Sequence, residues 1–258
     1  MKIQKLLVAF LLISLSIGCS TDSTSDGSSE PTIDKSGNLK ALGASAEELL
    51  SDIKFTSITI EMVYVTGFKP SQKTIDNLKS FLNTRTFKPD GVTISTRAIA
   101  SSSLAPFTIQ EIANIEKEER LVYNAGDEIA VFIYFADGSN EDDTDNKVVL
   151  GSAYRNTSMV IYSKTIENVA ARANAPEKST IESTVVNHEF GHLFGLVDVG
   201  SPMQTDHKDS PEGSHCNVDG CLMTANVQIG GPLIDMIGST VPDLDSFCIQ
   251  DLQANGGK

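Results

Sequence analysis

All four histidines of this chain, His188, His192, His207 and His215, fall within one short stretch. The first two frame the run His188-Glu189-Phe190-Gly191-His192. Imidazole is the commonest protein ligand for zinc. Two residues four apart on a helix share a face, so both rings can reach one point. Glu189 sits one position round from His188, where its carboxylate can take a proton from water at that point without being a ligand. The pattern therefore demands a helix. Pro176 suits a first turn, and Ser179-Thr180-Ile181-Glu182 reads as a capping box, which predicts where that helix begins. Ile181, Val185, His188 and His192 line one face and Val186, Phe190, Leu193 and Val197 another, so burial on two sides is expected. Gly195 is expected to take the left-handed conformation that ends the helix and turns the chain back.

Ahead of this helix the sequence alternates between strand and helix patterns. Phe55–Thr66, Gly91–Ile99 and Glu128–Ala136 read as strands, the last as a fully buried one. Ser71–Leu82 and Thr108–Arg120 read as amphipathic helices. Val148–Tyr154 and Met159–Ser163 read as short strands preceding the histidine helix. The order predicts an α+β domain, a twisted mixed β-sheet backed by helices with the histidine helix beneath it.

The N-terminus has a different character. Lys2 and Lys5 precede an apolar run from Leu6 to Ile17, which ends at Gly18-Cys19. Residues 1–18 read as a secretory signal too short to span a membrane comfortably. The Gly-Cys junction resembles that of bacterial lipoproteins, whose cysteine is acylated after cleavage, although Ser16 stands where leucine is usual. The polar tract from Ser20 to Pro31 has nothing to bury, so residues 19–45 are expected to form a flexible tether, with the domain at 46–258. The expected address is the cell envelope, lipid-anchored through Cys19. The whole chain carries a formal charge of −14, and loss of Lys2 and Lys5 would make it more acidic still. Such a surface repels phosphates, which disfavours a nucleic-acid partner.

Extended by Leu193-Phe194-Gly195, the histidine pattern resembles the metzincin clan of zinc endopeptidases. Downstream, His215-Cys216-Asn217-Val218-Asp219-Gly220-Cys221-Leu222-Met223 is similar to the third-histidine and Met-turn segment of archaemetzincins. The resemblance spans roughly Glu177 to Met223. It implies a zincin-like fold, one catalytic zinc held by His188, His192 and His215, Glu189 as general base, and Met223 as the apolar floor. It also implies peptide or protein substrates, paired along the edge strand Val148–Tyr154, where Gly151 and Ala153 would allow close approach. Two departures stand out. In archaemetzincins the third histidine follows the glycine after two residues, a slot that here holds Asp198, and an insertion containing His207 separates Gly195 from His215. Asp198, the ligand type of snapalysin-like enzymes, and His207 therefore remain rivals of His215, since all three can ligate zinc. Thr224 stands where many metzincins carry a tyrosine.

Archaemetzincins hold a second, structural zinc with four cysteines, the last two as a C-x-x-C pair. Here that pair reads Cys248-Ile249-Gln250-Asp251, leaving Cys216, Cys221 and Cys248 beside Cys19. One disulfide plus a free thiol is the simpler expectation in an oxidising compartment. The acidic run from Asp137 to Asn146 has oxygen donors that could hold calcium but lacks the glycine and terminal glutamate of an EF-hand, so a solvated loop is expected. The competing reading of the whole chain is a non-catalytic surface lipoprotein, an adhesin or binding module with a purely structural zinc. The presence of Glu189 speaks against it, because a structural site has no use for a base and fills its fourth position with protein.

Overall fold

The computed structural model describes residues 33–145, 147–211, 213–225 and 240–258. Cys19 and the segment expected to be signal and tether up to Thr32 lie outside these residues. Five strands form one sheet in the order β2-β1-β3-β5-β4. They are β1 (Ser57–Val65), β2 (Gly91–Ile99), β3 (Glu128–Ala136), β4 (Gly151–Arg155) and β5 (Ser158–Tyr162). Strands β2, β1, β3 and β5 run parallel, and β4 pairs antiparallel with β5 at one edge. The mixed sheet expected from the sequence is therefore present, and β2 and β3 keep the expected bounds.

Alternation along the strands sorts side chains to the two faces. Ile129, Val131, Ile133 and Phe135 of β3 join the main core, while Phe132, Tyr134 and Ala136 join a second, smaller one. Both faces are thus covered, as parallel strands require. Helix α3 (Ile109–Glu119) covers the smaller core with Ile112 and Ile115. Its N-terminus carries a complete capping box between Thr108 and Glu111. The main core is covered by α1 (Ala46–Leu50), α2 (Gln72–Arg85), α4 (Ser163–Ala170), α5 (Lys178–Leu193) and α6 (Ser246–Ala254).

Helix α5 carries the histidine pattern and is buried along its length from Thr180 to Leu193. The two expected apolar faces become burial all round, because α2 and α4 pack against the helix as well as the sheet. The expected capping box is absent. The helix starts at Lys178 after an N-cap, Glu177, that makes no side-chain cap bond, and Ser179 lies inside the first turn. Glu182 instead serves the neighbouring helix: its Oε1 accepts from the Ser71 backbone N–H at 3.0 Å and from the Thr74 hydroxyl at 2.7 Å, at the start of α2. A buried carboxylate needs donors, and the orphan groups of α2 supply them more fully than its own helix could. At the other end the expectation holds. Gly195 has φ +71°, its N–H donates to His192 O, and Leu196 N–H donates to Gly191 O. This pair of bonds is a Schellman motif.

The domain begins before residue 46. The compact unit starts at Ile33, and a 3-10 turn at Ser36–Asn38 is pinned to the sheet. The Asn38 side-chain amide donates to Asn124 Oδ1 at 2.7 Å and to Ala130 O at 3.0 Å. Lys40 N–H donates to Asn156 Oδ1 in the β4–β5 turn. Polar composition marked this stretch as tether, yet its asparagine amides act as backbone surrogates at the sheet margin. The acidic loop after β3 is ordered by Asp143, which accepts the Val149 N–H at 2.7 Å. Its carboxylates are absent from the groups of converging ligand atoms found among the described residues.

Candidate metal centre

One face of α5 delivers His188 and His192 to a shared point, with their Nε2 atoms 3.1 Å apart. Two nitrogens on one tetrahedral zinc, each about 2.0–2.1 Å from it, would stand about 3.3 Å apart. His188 Nδ1 lies 2.7 Å from Leu222 O. That contact assigns the proton to Nδ1 and leaves the Nε2 lone pair facing the shared point. His215 closes the triangle. Its ring centroid lies 5.3 Å from those of both His188 and His192, and one ligand atom from each of the three rings lies within 4.8 Å of the others. Burial pulls the His188 imidazole down to about 3 and the His192 imidazole well below its ordinary value, so both are neutral ligand forms at pH 7.

The rival donors are elsewhere. Asp198 follows Val197 through two successive left-handed residues, φ +56° and +65°. This turn sends its carboxylate outward to Lys208 Nζ at 3.2 Å, with the side chain 58% exposed. His207 is buried in a separate group with Cys216, Asp245 and Cys248.

Glu189 is fully enclosed. Its Oε2 accepts the Ala153 N–H of the edge strand β4 at 2.7 Å. Its Oε1 has no hydrogen-bond partner among the described residues. Burial pushes the carboxyl up to about 8, against the lowering effect of the Ala153 N–H. Three converging imidazoles beside an unsatisfied buried carboxylate oxygen form a donor set that fits a zinc ion with an open position.

Two glycines set the spacing around this centre. A Cβ on Gly191 would stand 2.1 Å from Met223 Sδ, so Met223 packs directly against the helix between its two histidines. A Cβ on Gly151 would meet Val185 Cγ1 at 2.7 Å and the Glu189 side chain at 3.0 Å. Gly151 is thus small because α5 crosses it. The segment from Cys216 to Met223 closes on itself through Cys216 N–H to Met223 O at 2.8 Å. Leu222 and Met223 therefore serve the centre twice, one by orienting His188 and the other by flooring the helix.

The expected disulfide does not form: Cys216, Cys221 and Cys248 are all free thiols. Hydrogen bonds from Cys221 and Cys248 bring the Cys216 thiol down to about 5, and the same contacts push the Cys248 thiol up. Sequence reasoning missed that His207 belongs with these thiols. The signal available was the count itself, three cysteines and a spare histidine in one segment.

No family model matches the sequence, and no curated protein matches it. Solved structures do match. The crystal structure of archaemetzincin from Methanopyrus kandleri superposes with a TM-score of 0.51, at 15% identity, over 78% of this chain and 96% of that one. The fold is archaemetzincin-like. Metalloproteinase-II from Bacteroides fragilis also matches, with a TM-score of 0.44 and 12% identity over 80% of this chain, which spans 54% of that protein's length. The archaemetzincin-like fold agrees with the sheet order and with the helix that presents the histidines beneath it.

Proposed function

We propose that the chain is a zinc-dependent endopeptidase, with His188, His192 and His215 holding the ion and Glu189 acting as general base. The observation that carries this reading is the enclosed Glu189 carboxylate, with one oxygen on the edge strand and the other unsatisfied beside three converging imidazoles. Zinc bound there would act as a Lewis acid towards a scissile carbonyl and ease the ionisation of water. Glu189 takes the proton of the attacking water and passes it to the leaving amine. Its raised affinity for protons suits both halves of that task. Strand β4, at the sheet edge, offers an extended peptide a partner strand beside the base. Met223 is the apolar floor beneath the histidines and takes no part in proton transfer. A binding module with structural zinc would leave the buried Glu189 oxygen without a purpose, a cost that such a protein could avoid with an apolar residue.

The address belongs to the same proposal. The Lys2/Lys5-flanked apolar run and the Gly18-Cys19 junction support a lipid anchor at Cys19, which would place the domain on the cell envelope.

Glu189→Gln tests the chemistry. It should keep zinc while cleavage of an unfolded protein substrate falls by roughly a hundred-fold or more. Chelation should abolish cleavage by the wild type, and added zinc should restore it. Cleavage by the Gln variant at the wild-type rate would remove Glu189 from the role of base.

A further inference from the structure

Seven large apolar side chains are exposed among the described residues, and five of them gather at one end of the sheet. Ile53 precedes β1, Phe87 precedes β2, and Leu121 lies in the connection that leads into β3. Ile33 and Leu39 flank the 3-10 turn, whose Asn38 donates to Ala130 O near the start of β3. Because β1, β2, β3 and β5 are parallel, the segments that enter them share one end of the sheet. The other two, Leu104 and Ile109, follow β2 and belong to the opposite end.

Single exposed apolar side chains are ordinary, but these stand on segments tied to one another. The buried Lys88 ammonium donates to Glu48 O, Ser51 O and Phe55 O, which joins the segment of Phe87 to that of Ile53. Asp90 N–H donates to Thr56 O at 3.1 Å, and Thr56 N–H to Asp127 O at 2.8 Å, at the entrance to β3. Asn124 N–H donates to Asn38 Oδ1 at 2.9 Å, which brings in the turn between Ile33 and Leu39. The apolar side chains thus ride on one hydrogen-bonded row, and burying them together orders little new backbone.

Lysines stand over aromatic rings around this row. Lys258 Nζ is 5.5 Å from the Phe87 ring, Lys54 Nζ 4.8 Å from Phe55 and Lys35 Nζ 4.8 Å from Tyr123. Stems laid on apolar surface with the charge outward suit a boundary between hydrocarbon and water. Charge is not the attraction, since Glu48 pairs with both Lys40 and Lys54.

The chain enters the domain at this same end. Ile33 follows Cys19 by 14 residues. An acyl group on Cys19 would hold Ile33 within about 50 Å of a bilayer even with the intervening chain fully extended. The far end of β1, nine residues on, stands about 30 Å further along the strand direction.

We infer that this end of the sheet docks on the lipid bilayer, with Ile33, Leu39, Ile53, Phe87 and Leu121 entering the boundary below the headgroups. The inference rests on the lipid anchor proposed at Cys19, which supplies the bilayer at close range. The anchor alone fixes no orientation, whereas the apolar row fixes one.

The chain contains no tryptophan, so a single introduced indole reports its own surroundings. The full chain, isolated from membranes, is placed in phosphatidylcholine vesicles with brominated acyl chains. Ile53→Trp and Phe87→Trp should lose emission and shift to shorter wavelength, while Leu104→Trp at the far end should keep the emission of an indole in water. Quenching of all three, or of none, would overturn the docking surface. So would a dimer that Ile53→Glu and Phe87→Glu dissolve while the quenching is absent, since the surface would then join two copies of the chain. Mass spectrometry of Cys19 tests the anchor separately. If no acyl group is found there, flotation of the unacylated chain with the same vesicles decides. Binding that is lost on combining Ile53→Glu with Phe87→Glu supports the surface, and no binding by the parent chain overturns it.

Discussion

His188 and His192 reach their common point from a continuous helix that is buried from Thr180 to Leu193. His215 reaches the same point from irregular chain, held by Asp209 N–H to His215 O at 2.7 Å and by Cys216 N–H to Met223 O at 2.8 Å. The helical half is positioned by backbone bonds that any sequence of adequate propensity would make. The loop half depends on side chains: Met223 against Gly191, the Leu222 carbonyl under His188, and the thiol cluster that flanks both. Preorganisation of the three-histidine cluster is therefore unequal. Two of its rings are fixed by secondary structure, and the third is only as well placed as the loop is packed.

The largest effect that can break this comparison comes from removing ligands one at a time. His215→Ala should empty the proposed zinc site as fully as His188→Ala does, because two imidazoles cannot complete it. Asp198→Ala should retain that ion, since the Asp198 carboxylate faces Lys208 and solvent. The comparison is zinc per chain after dialysis. If Asp198→Ala empties the site and His215→Ala does not, the loop rearranges around the metal and its packing here is not the bound arrangement.

The same inequality explains what could be read in advance. Strands β2 and β3 and the end of α5 at Gly195 follow from local chemistry: period-two alternation, a buried apolar run, and a residue free to adopt positive φ. Their expected bounds match because few tertiary contacts are needed to decide them. The start of α5 was misread because a serine and a glutamate three apart fit a capping box, while Glu182 was taken up by the N-terminus of α2, more than a hundred residues away in sequence. No local pattern announces such a partner. Likewise the outward turn of the Asp198 carboxylate to Lys208 follows from backbone conformation at Val197 and Asp198, where two non-glycine residues hold positive φ. Sequence alone gives no reason to expect it there. One disulfide and a free thiol are the expectation from the cysteine count, and no local pattern places His207 beside those sulfurs.

A smaller effect should appear where the two halves touch. Gly191→Ala would set a methyl 2.1 Å from Met223 Sδ. Overpacking of this kind costs about 1–3 kcal/mol. The flexible thioether can absorb part of the strain only by lifting the loop away from the helix. Urea unfolding should therefore report a loss in that range, and zinc affinity should fall with it. A loss of stability without any loss of affinity would show that the loop positions His215 independently of Met223, which sharpens the division between the two halves.

The smallest effect concerns how the helical half itself is set in place. If α5 were held by its own cap, Ser179→Ala should cost about 1 kcal/mol. The Ser179 hydroxyl is only 3.5 Å from Glu177 Oε2 on an exposed turn, and it caps nothing. Its removal should thus change stability by no more than a few tenths of a kcal/mol, as ordinary surface substitutions do. Ser71 is different. Its hydroxyl accepts the Thr74 N–H at 3.0 Å, and its own N–H reaches across to Glu182 on α5 at 3.0 Å. Ser71→Ala removes the cap and leaves that backbone contact in place, so a loss of about 1 kcal/mol is expected, the usual value of an N-cap serine. Urea midpoints of the two variants, measured side by side, distinguish the cases. Equal losses would mean that Ser179 caps α5 in solution. A loss confined to Ser71→Ala would mean that α5, the histidine-bearing helix, begins without a side-chain cap, while α2, to which Glu182 ties it, keeps one.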